Sequence, residues 1–447
     1  MKDVPFYILN DVQYGGIRMD TSINQNQERM MGNKGFRTFW LSHTATQFGS
    51  QVAFLGLPLV ASLTLSATPM EMGILGALEY APFLFIGLFA GVWVDRFPRR
   101  PQLILSNVGR ALLLALIPIA SFAGVLSMGW LYIIAFLTGI GTVFFDIAYQ
   151  SYLPALVNKE QLVKGNSLLE GSRSAAQMSG PGLAGAIVQF TAAPVAMLTT
   201  SLAFLISAFS LLFIKRDEEV SSSPGAKRGL WEDIREGLRL SFSEPLLFGV
   251  IRCSGIFNFS WSVMFSVYVL YAIEELQLSS GWLGFVYGGM GVGFFLGASL
   301  VHKAIRKFGM GPVVVGSAAI AACGGPFAPL AVGSDGMTAL ILSVGQFFFG
   351  LGISMWSIST LSLRQTIVPA HLQGRVNATV RFVSWGAYPL GSLVGGYLGN
   401  AFGMRIALIA GAVGLAVSVS TLLFTPFLRR KEKSVQELEK GNFKGIG

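Results

Sequence analysis

GIGTVFFDIAYQSYLPALVNKEQLVKGN, residues 139–166, lies without a gap over GLGISMWSISTLSLRQTIVPAHLQGRVN, residues 350–377. Gly139, Gly141 and Asn166 fall on Gly350, Gly352 and Asn377. The same register carries on to bring Gly180 and Gly185 onto Gly391 and Gly396. Each copy is an apolar run that ends in a polar turn. A chain that repeats such a unit is organised as two related bundles. In a membrane this is the architecture of secondary transporters, with the substrate site at mid-depth between the halves.

The surrounding sequence agrees. Of 447 residues, 52% are hydrophobic and 12% charged, against roughly 25% charged in a soluble domain. Blocks of about 20 apolar residues, long enough to cross a bilayer core as a helix, number twelve. They run over 38–64, 72–94, 102–124, 130–153, 166–190, 194–214, 246–272, 282–304, 312–333, 338–363, 377–399 and 404–427. The expected fold is an all-α membrane protein of twelve transmembrane helices in two six-helix pseudo-repeats. Its parts are a polar N-tail (1–35), a first bundle (36–214), a linker (215–245), a second bundle (246–428) and a C-tail (429–447). The tail's acids Asp3, Asp11 and Asp20 argue against a cleavable signal peptide. Within the linker, Trp231, Ile234, Leu238 and Leu240 or Phe242 share one side of a short amphipathic helix, expected to lie on the membrane surface. Cys253 and Cys323 sit inside apolar blocks without metal-ligand spacing, and both are expected to be small buried residues.

Charge sets the orientation. Twenty-seven of the 32 Lys and Arg residues lie in the tails and in alternate loops, 96–100, 158–164, 215–239, 303–307 and 364–375. The opposite loops carry none. The positive-inside rule then places both termini in the cytoplasm of a multi-pass cell-membrane protein. The net charge of +9 reads as topology and lipid-headgroup contact. No stacking motif accompanies these bases, so nucleic acid is not an expected partner.

The turn GVWVDRFPRR, 91–100, sets one acid among arginines. It resembles the Gly-x-x-x-Asp-Arg-x-x-Arg-Arg signature of the major facilitator superfamily. FRTFWLSHTATQFGSQVAFLGLPL, residues 36–59, and FDIAYQSYLPALVNKEQLVKGNSLLEGSRSAAQMSGPGLAGAIV, residues 145–188, are similar to its macrolide-efflux and enterobactin-exporter branch of drug:proton antiporters. The resemblance covers roughly residues 36–430. It implies that Asp95 docks against the start of the eleventh helix, whose N-terminus carries partial positive charge. Gly91 would permit the approach, and Arg96, Arg99 and Arg100 would complete a latch that closes the cytoplasmic side. The second copy of the turn follows Gly297 and has Val301 at the position of Asp95, so the latch is expected once. GPGLAG resembles the antiporter motif of the fifth helix, carried by Gly180, Pro181 and Gly185, with Ala184 in place of the usual glycine.

Charges inside the apolar blocks are expensive and mark candidate sites. Glu79 lies about 18 Å along its helix from Gly91 at 1.5 Å per residue, which makes it the candidate for proton coupling. Asp146 and Arg110 lie at equal depth on neighbouring blocks and are expected to pair, with a proton relay as the alternative. Glu170 completes Ser167-x-x-Glu170, a capping box expected at the start of the fifth helix. Arg252 and Arg381 are cavity-facing candidates. His43, Gln47 and Gln51 recur at i, i+4 and i+8, one face of a helix. Asn258 and Trp261 are three apart, as are Phe382, Trp385 and Tyr388. Together these polar and aromatic faces form the expected substrate cavity, suited to bulky, amphipathic or cationic organic compounds.

The expected activity is proton-coupled efflux of a small organic compound such as an antibiotic, drug or secondary metabolite. Siderophore export is the alternative, and lysophospholipid movement or uptake a more distant one. His-Glu-x-x-His, Gly-x-Ser-x-Gly and Gly-x4-Gly-Lys-Ser/Thr are all absent, which argues against an intramembrane enzyme and against ATP-driven export. The expected partners are the substrate, protons and the lipid bilayer, with no cofactor or metal, and the chain is expected to act as a monomer.

Overall fold

A computed structural model describes residues 30–158, 161–214, 230–333, 336–368, 372–425 and 427. The tail and linker segments outside these ranges, and their expected roles, lie outside the described residues. Fifteen α-helical segments follow in order. They are α1 Lys34–Leu59, α2 Pro69–Phe85, α3 Gly87–Arg96, α4 Arg99–Phe122, α5 Met128–Leu156, α6 Leu162–Phe190, α7 Ala193–Leu212 and α8 Leu230–Ser243 in the first part of the chain. After them come α9 Pro245–Glu274, α10 Ser280–Phe308, α11 Met310–Cys323, α12 Phe327–Leu330, α13 Gly336–Ile367, α14 Gln373–Phe402 and α15 Met404–Leu423.

Apart from α8 these make twelve rods, because two rods are broken. α2 and α3 meet at Ile86, one turn after Pro82, whose ring crowds the preceding turn and donates no hydrogen bond. α11 and α12 meet across Gly324, Gly325 and Pro326. α1 continues through a π-helical turn, Val60–Thr64. Among the described residues eight of the rods, α11 with α12 counted as one, are long and apolar enough to cross a membrane. The twelve expected passes are thus twelve rods, in two sets of six.

Helix starts show the local rules at work. Thr68 caps α2: its hydroxyl accepts from the Glu71 N–H at 3.3 Å, and the Glu71 carboxylate accepts from the Thr68 N–H at 2.8 Å. Ser167 and Glu170 do not cap anything. α6 already begins at Leu162, so they lie inside it, and Glu170 instead pairs with Arg173 one turn on, at 2.5 Å. Cys253 is buried as expected, whereas Cys323 is exposed at the end of α11.

The repeat holds in three dimensions at a constant spacing of 211 positions, that between Gly139 and Gly350. Gly139 packs against the Glu79 carbonyl and Gly350 against that of Met290; Gly141 packs against Ser106 and Arg110, and Gly352 against Ser317 and Ala321. Every one of these partners is displaced by the same interval. α4 and α11 begin at Arg99 and Met310, again 211 apart. The equivalent of Asp95 is therefore Arg306, and that of Gly91 is His302. The expected match of Gly91 with Gly297, and of Asp95 with Val301, requires a five-residue slip that the helices do not contain.

The apolar core divides unequally. We call the end carrying 97–98, 157–158 and 372 the basic end, and the end carrying 65–68, 191–192 and 275–279 the neutral end. One large cluster, from Val52 to Leu415, joins both halves toward the neutral end. Toward the basic end the clusters belong to one half each, Met30 to Ile214 in the first and Leu246 to Phe427 in the second. Two crossings close the neutral end. Gly185 of α6 meets Ser280 and Gly284 of α10, and Gly396 of α14 meets Pro69 and Gly73 of α2. The second crossing is the first shifted by 211 with the halves exchanged. Glycine is required at both, because a Cβ on Gly185 or Gly396 would stand 2.5 Å and 2.8 Å from opposing backbone atoms.

The linker helix α8 docks on the second half. Glu236 pairs with Arg375 at the start of α14, and Leu240 packs against Leu247, Ile251, Val376 and Val380. Leu238 and Phe242 remain exposed. The side chains of Trp231 and Ile234 lie outside the described residues.

Candidate functional site

Where the halves meet at mid-depth, aromatic rings from both sides stack. Tyr80 and Phe83 come from α2, one turn apart on one face; Trp385 and Tyr388 come from α14 with the same spacing. Tyr80 lies 4.7 Å from Tyr388 and Phe83 lies 5.3 Å from Trp385, centroid to centroid, with ring planes inclined by 28° and 20°. Two hydrogen bonds hold the α14 side in place. Asn258 donates to the Ser384 carbonyl at 3.0 Å and Ser262 donates to the Tyr388 carbonyl at 2.7 Å. Asn258 is thus a support for the α14 backbone. Trp385 and Tyr388 stack on one another at 5.7 Å, and Trp385 and Phe382 are both exposed.

Glu79 neighbours Tyr80 and is half-buried. Among the described residues no hydrogen bond or ion pair reaches its carboxylate. Its repeat equivalent, Met290, carries no charge, so this acid belongs to one half alone.

Arg110 is fully buried and is engaged within the first half. It donates to the Asn107 side-chain oxygen, and to the Ser106 carbonyl and the Thr142 hydroxyl, both at 3.4 Å. The guanidinium lies over the rings of Phe204 and Phe145, 4.3 Å and 4.7 Å from their centroids, where cation–π attraction offsets lost hydration. Asn107 donates in turn to Ser207 at 2.6 Å and Thr46 at 3.2 Å, and the Ser42 and Ser207 hydroxyls share a bond of 2.6 Å. This buried polar network joins α1, α4 and α7. Asp146 is close enough to feel Arg110, Arg381 and Arg173, but it makes no ion pair with Arg110 among the described residues. The expected direct pair is corrected accordingly: ring faces and an amide already fill the space around the guanidinium.

The other expected cavity residues divide. His43 is buried and stacks on Tyr149 at 4.7 Å, so it packs inside the first half. Gln47 is half-buried. Gln51 lies against Gly180 of α6, where a Cβ would stand 2.4 Å from its own. Trp261 is buried and stacks on Phe349 at 3.6 Å, within the second half. It also stacks on Phe265, which in turn stacks on Phe54 of the first half. Arg252 donates to the Thr421 carbonyl at 2.5 Å, a tie between α9 and α15. Arg381 is exposed on α14. Pro181 is buried in α6, and Gly185 carries the crossing with α10.

At the basic end, the side chains of Gly91 and Asp95 lie outside the described residues. Arg96 is exposed. Arg99 is half-exposed and has a partner. Arg100 donates to the Leu211 carbonyl at 2.9 Å and the Leu212 carbonyl at 2.8 Å, tying the turn to the end of α7 within the same half.

The sequence reading missed Tyr80, Phe83 and the network of Ser42, Thr46, Asn107 and Ser207. A signal was present for each: Ser42 and Thr46 are four apart on α1, beside His43 and Gln47, and Tyr80 and Phe83 follow Glu79 by one and four positions.

Comparison with known proteins bears on the same fold. The family described as Major Facilitator Superfamily matches residues 39–388. The uncharacterized MFS-type transporter YfiS of Bacillus subtilis is 25% identical, over 91% of this chain and 97% of its own length. Multidrug efflux pump Tap of Mycolicibacterium fortuitum is 24% identical over 85% and 93%. Macrolide efflux protein A of Enterococcus faecalis is 23% identical over 52% and 73%. A bacterial homologue of the iron transporter ferroportin, solved in an inward-facing state, superposes with a TM-score of 0.68 at 18% identity, covering 87% of this chain and 98% of that one. At that identity the likeness is one of fold.

Proposed function

The chain belongs to the Major Facilitator Superfamily and is a membrane transporter of small molecules, and from that premise we propose that it exports small organic compounds by alternating access, coupled to proton entry. One observation carries the reading. Among the described residues the halves share a core cluster toward the neutral end and have separate clusters toward the basic end, which supports a state closed at the neutral end, with the aromatic seam and Glu79 on the basic-end side of that closure. With the basic end in the cytoplasm of a cell membrane, as the positive-inside rule directs, this is a loading state. The efflux pumps among its relatives support the direction of transport. A single chain contains both halves and both crossings, consistent with a monomer.

Glu79 is our candidate for the proton carrier. An acid at this depth is costly and marks a functional group, and exposure to the two sides in turn would let it load and release a proton. Glu79→Gln keeps the shape and cannot titrate. In proteoliposomes it is expected to lose at least about tenfold in pH-gradient-driven accumulation, the scale of a lost acid–base group, while downhill exchange persists. Substrates for the assay come from a susceptibility screen in an efflux-deficient host, with and without an uncoupler. Full gradient-driven accumulation by Glu79→Gln removes Glu79 from the coupling step.

For the turn at 91–100 we propose the latch that the family resemblance implies. Asp95→Asn is expected to weaken closure of the basic end, an N-terminal charge interaction being worth about 0.3–1 kcal/mol and up to ~2 when partly buried. Spin-label distances across that end then shift toward the open state as transport falls. An unchanged distance distribution with normal transport rejects the latch.

A further inference from the structure

The two neutral-end crossings agree in their glycines and differ in their hydrogen bonds. At the first, Gln189 on the last turn of α6 reaches the opening turn of α10 in the other half. Its side-chain oxygen accepts from the Gly281 N–H at 3.1 Å and from the Ser280 hydroxyl at 3.2 Å. The opening turn of a helix leaves N–H groups that no carbonyl of the same helix can reach. In α10 the Trp282 N–H goes to the helix's own cap, the Ser279 hydroxyl, at 3.4 Å, and the Gly281 N–H goes to the opposite half.

The second crossing has no such tie. The positions 211 away from Gln189, Ser280 and Gly281 are Asn400, Pro69 and Met70. Proline offers neither an N–H nor a hydroxyl, and α2 closes its first turn with its own Thr68 and Glu71. Among the described residues Asn400 makes no hydrogen bond to α2. The tie at the first crossing also follows closure. Gly185 and Gln189 are four apart on α6, and Ser280 and Gly284 are four apart on α10, so each pair shares a helix face. Gly185 lies against Ser280 and Gly284, and parting the helices there takes Gln189 off Gly281.

We propose that Gln189 is a latch for the neutral end, a positioning residue that holds α6 on α10 while the basic end stands open. Its two hydrogen bonds break when the neutral end parts, and they belong to one crossing alone. The inference rests on the alternating-access part of the reading above, and on neither the direction of transport nor the proton. In this role Gln189 acts on the balance between the two states and not on the substrate.

Ser392 can report the state of this end from the other crossing. It is buried on α14 against Gly73 and Gly76 of α2, and Ser392→Cys replaces one oxygen by sulfur. In the full chain with Cys323→Ser, held in nanodiscs, a charged methanethiosulfonate reagent reaches the introduced thiol only when the neutral end opens. The modification rate then tracks the open population, and the Cys323→Ser parent supplies the blank. Gln189→Met keeps the side-chain length and loses the acceptor. It should raise the rate about three- to tenfold, the scale of hydrogen bonds exchanged with water. Ser280→Ala should give part of that rise and add nothing to Gln189→Met in the double variant. Gln189→Glu offers a carboxylate to the same two donors at a helix N-terminus, and at neutral pH should lower the rate about two- to fivefold. Asn400→Met, at the equivalent position, should leave it unchanged.

A rate unmoved by Gln189→Met overturns the proposal, as does an equal rise from Asn400→Met. So does a rise with Gln189→Glu, because a change that merely disturbs packing loosens the crossing with either side chain. Gly396→Leu separates the latch from the reading it rests on. If Gly396→Leu raises the rate and Gln189→Met does not, the latch is discarded and alternating access stands; if neither raises it, both fall. A Gln189 response in a chain that exports nothing in the susceptibility screen keeps the latch, and the efflux reading fails by itself.

Discussion

Gly396→Leu is expected to abolish transport and to hold the neutral end of the bundle apart. A Cβ on Gly396 would meet the Gly73 Cα and the Pro69 carbonyl oxygen at 2.8 Å. Both are backbone atoms, so no side chain can turn aside. Overpacking by a few methylenes costs about 1–3 kcal/mol, enough to invert a two-state gap of a few kcal/mol. The population closed at the neutral end should fall by about ten- to a hundredfold. Gly185→Leu should match it, because its Cβ meets the Ser280 oxygen at 2.5 Å and the Gly284 Cα at 2.7 Å. Gly316→Leu, in α11 with nothing within 4 Å, should transport normally. Spin labels at the exposed Thr191 and Gln277 read the distance across this end. Wild-type transport and an unchanged distance in Gly396→Leu would show that the crossing is not a gate.

The second large effect is on folding. Arg110→Leu leaves the Asn107 side-chain oxygen facing an apolar side chain in a fully buried network. Removing one member of a buried charged set costs about 3–5 kcal/mol. We expect a loss on that scale in denaturant titrations of the purified protein, and a partial loss for Arg110→Lys, which keeps the charge but not the fork. The double-mutant cycle assigns the partner. Arg110 with Asn107 should couple by more than about 1 kcal/mol, and Arg110 with Asp146 by less than about 0.5 kcal/mol. Strong coupling to Asp146 would restore the ion pair that equal depth on neighbouring helices implies.

That ion pair shows where sequence reading reaches its limit. Depth along a helix follows from counting at 1.5 Å per residue, and it brought Arg110 and Asp146 to the same level. Rotation about the helix axis depends on packing, and packing turned the guanidinium toward Phe145 and Phe204. Trp261 is a similar case: its spacing from Asn258 is consistent with one face, but Phe349, 88 positions away in sequence, covers the ring. Ser167 and Glu170 have the right residues for a cap, yet the helix begins five residues earlier, and only the hydrogen bonds of its first turn could say so. By contrast, the twelve apolar blocks became twelve rods because hydrocarbon length admits few alternatives. The register of the repeat also survived, since glycines at crossings tolerate no shift. It failed only at 91–100, where likeness to a signature motif outweighed the constant interval.

The helices that build the seam have a consequence for biosynthesis. α1, α2 with α3, α6 and α14 are the rods outside the eight that are individually long and apolar enough to cross a membrane. They fall short of the others in unbroken length or mean hydropathy, and they supply at least one side of each neutral-end crossing and both sides of the aromatic stack. Lateral exit from the insertion machinery must therefore await a partner. α1 has its polar stripe covered only when α4 and α7 are made, and α14, near the end of the chain, waits for α9 and α2, which by then stand ready in the bilayer. The chain is committed to the membrane helix by helix, but its transport path is assembled only as the last rods arrive.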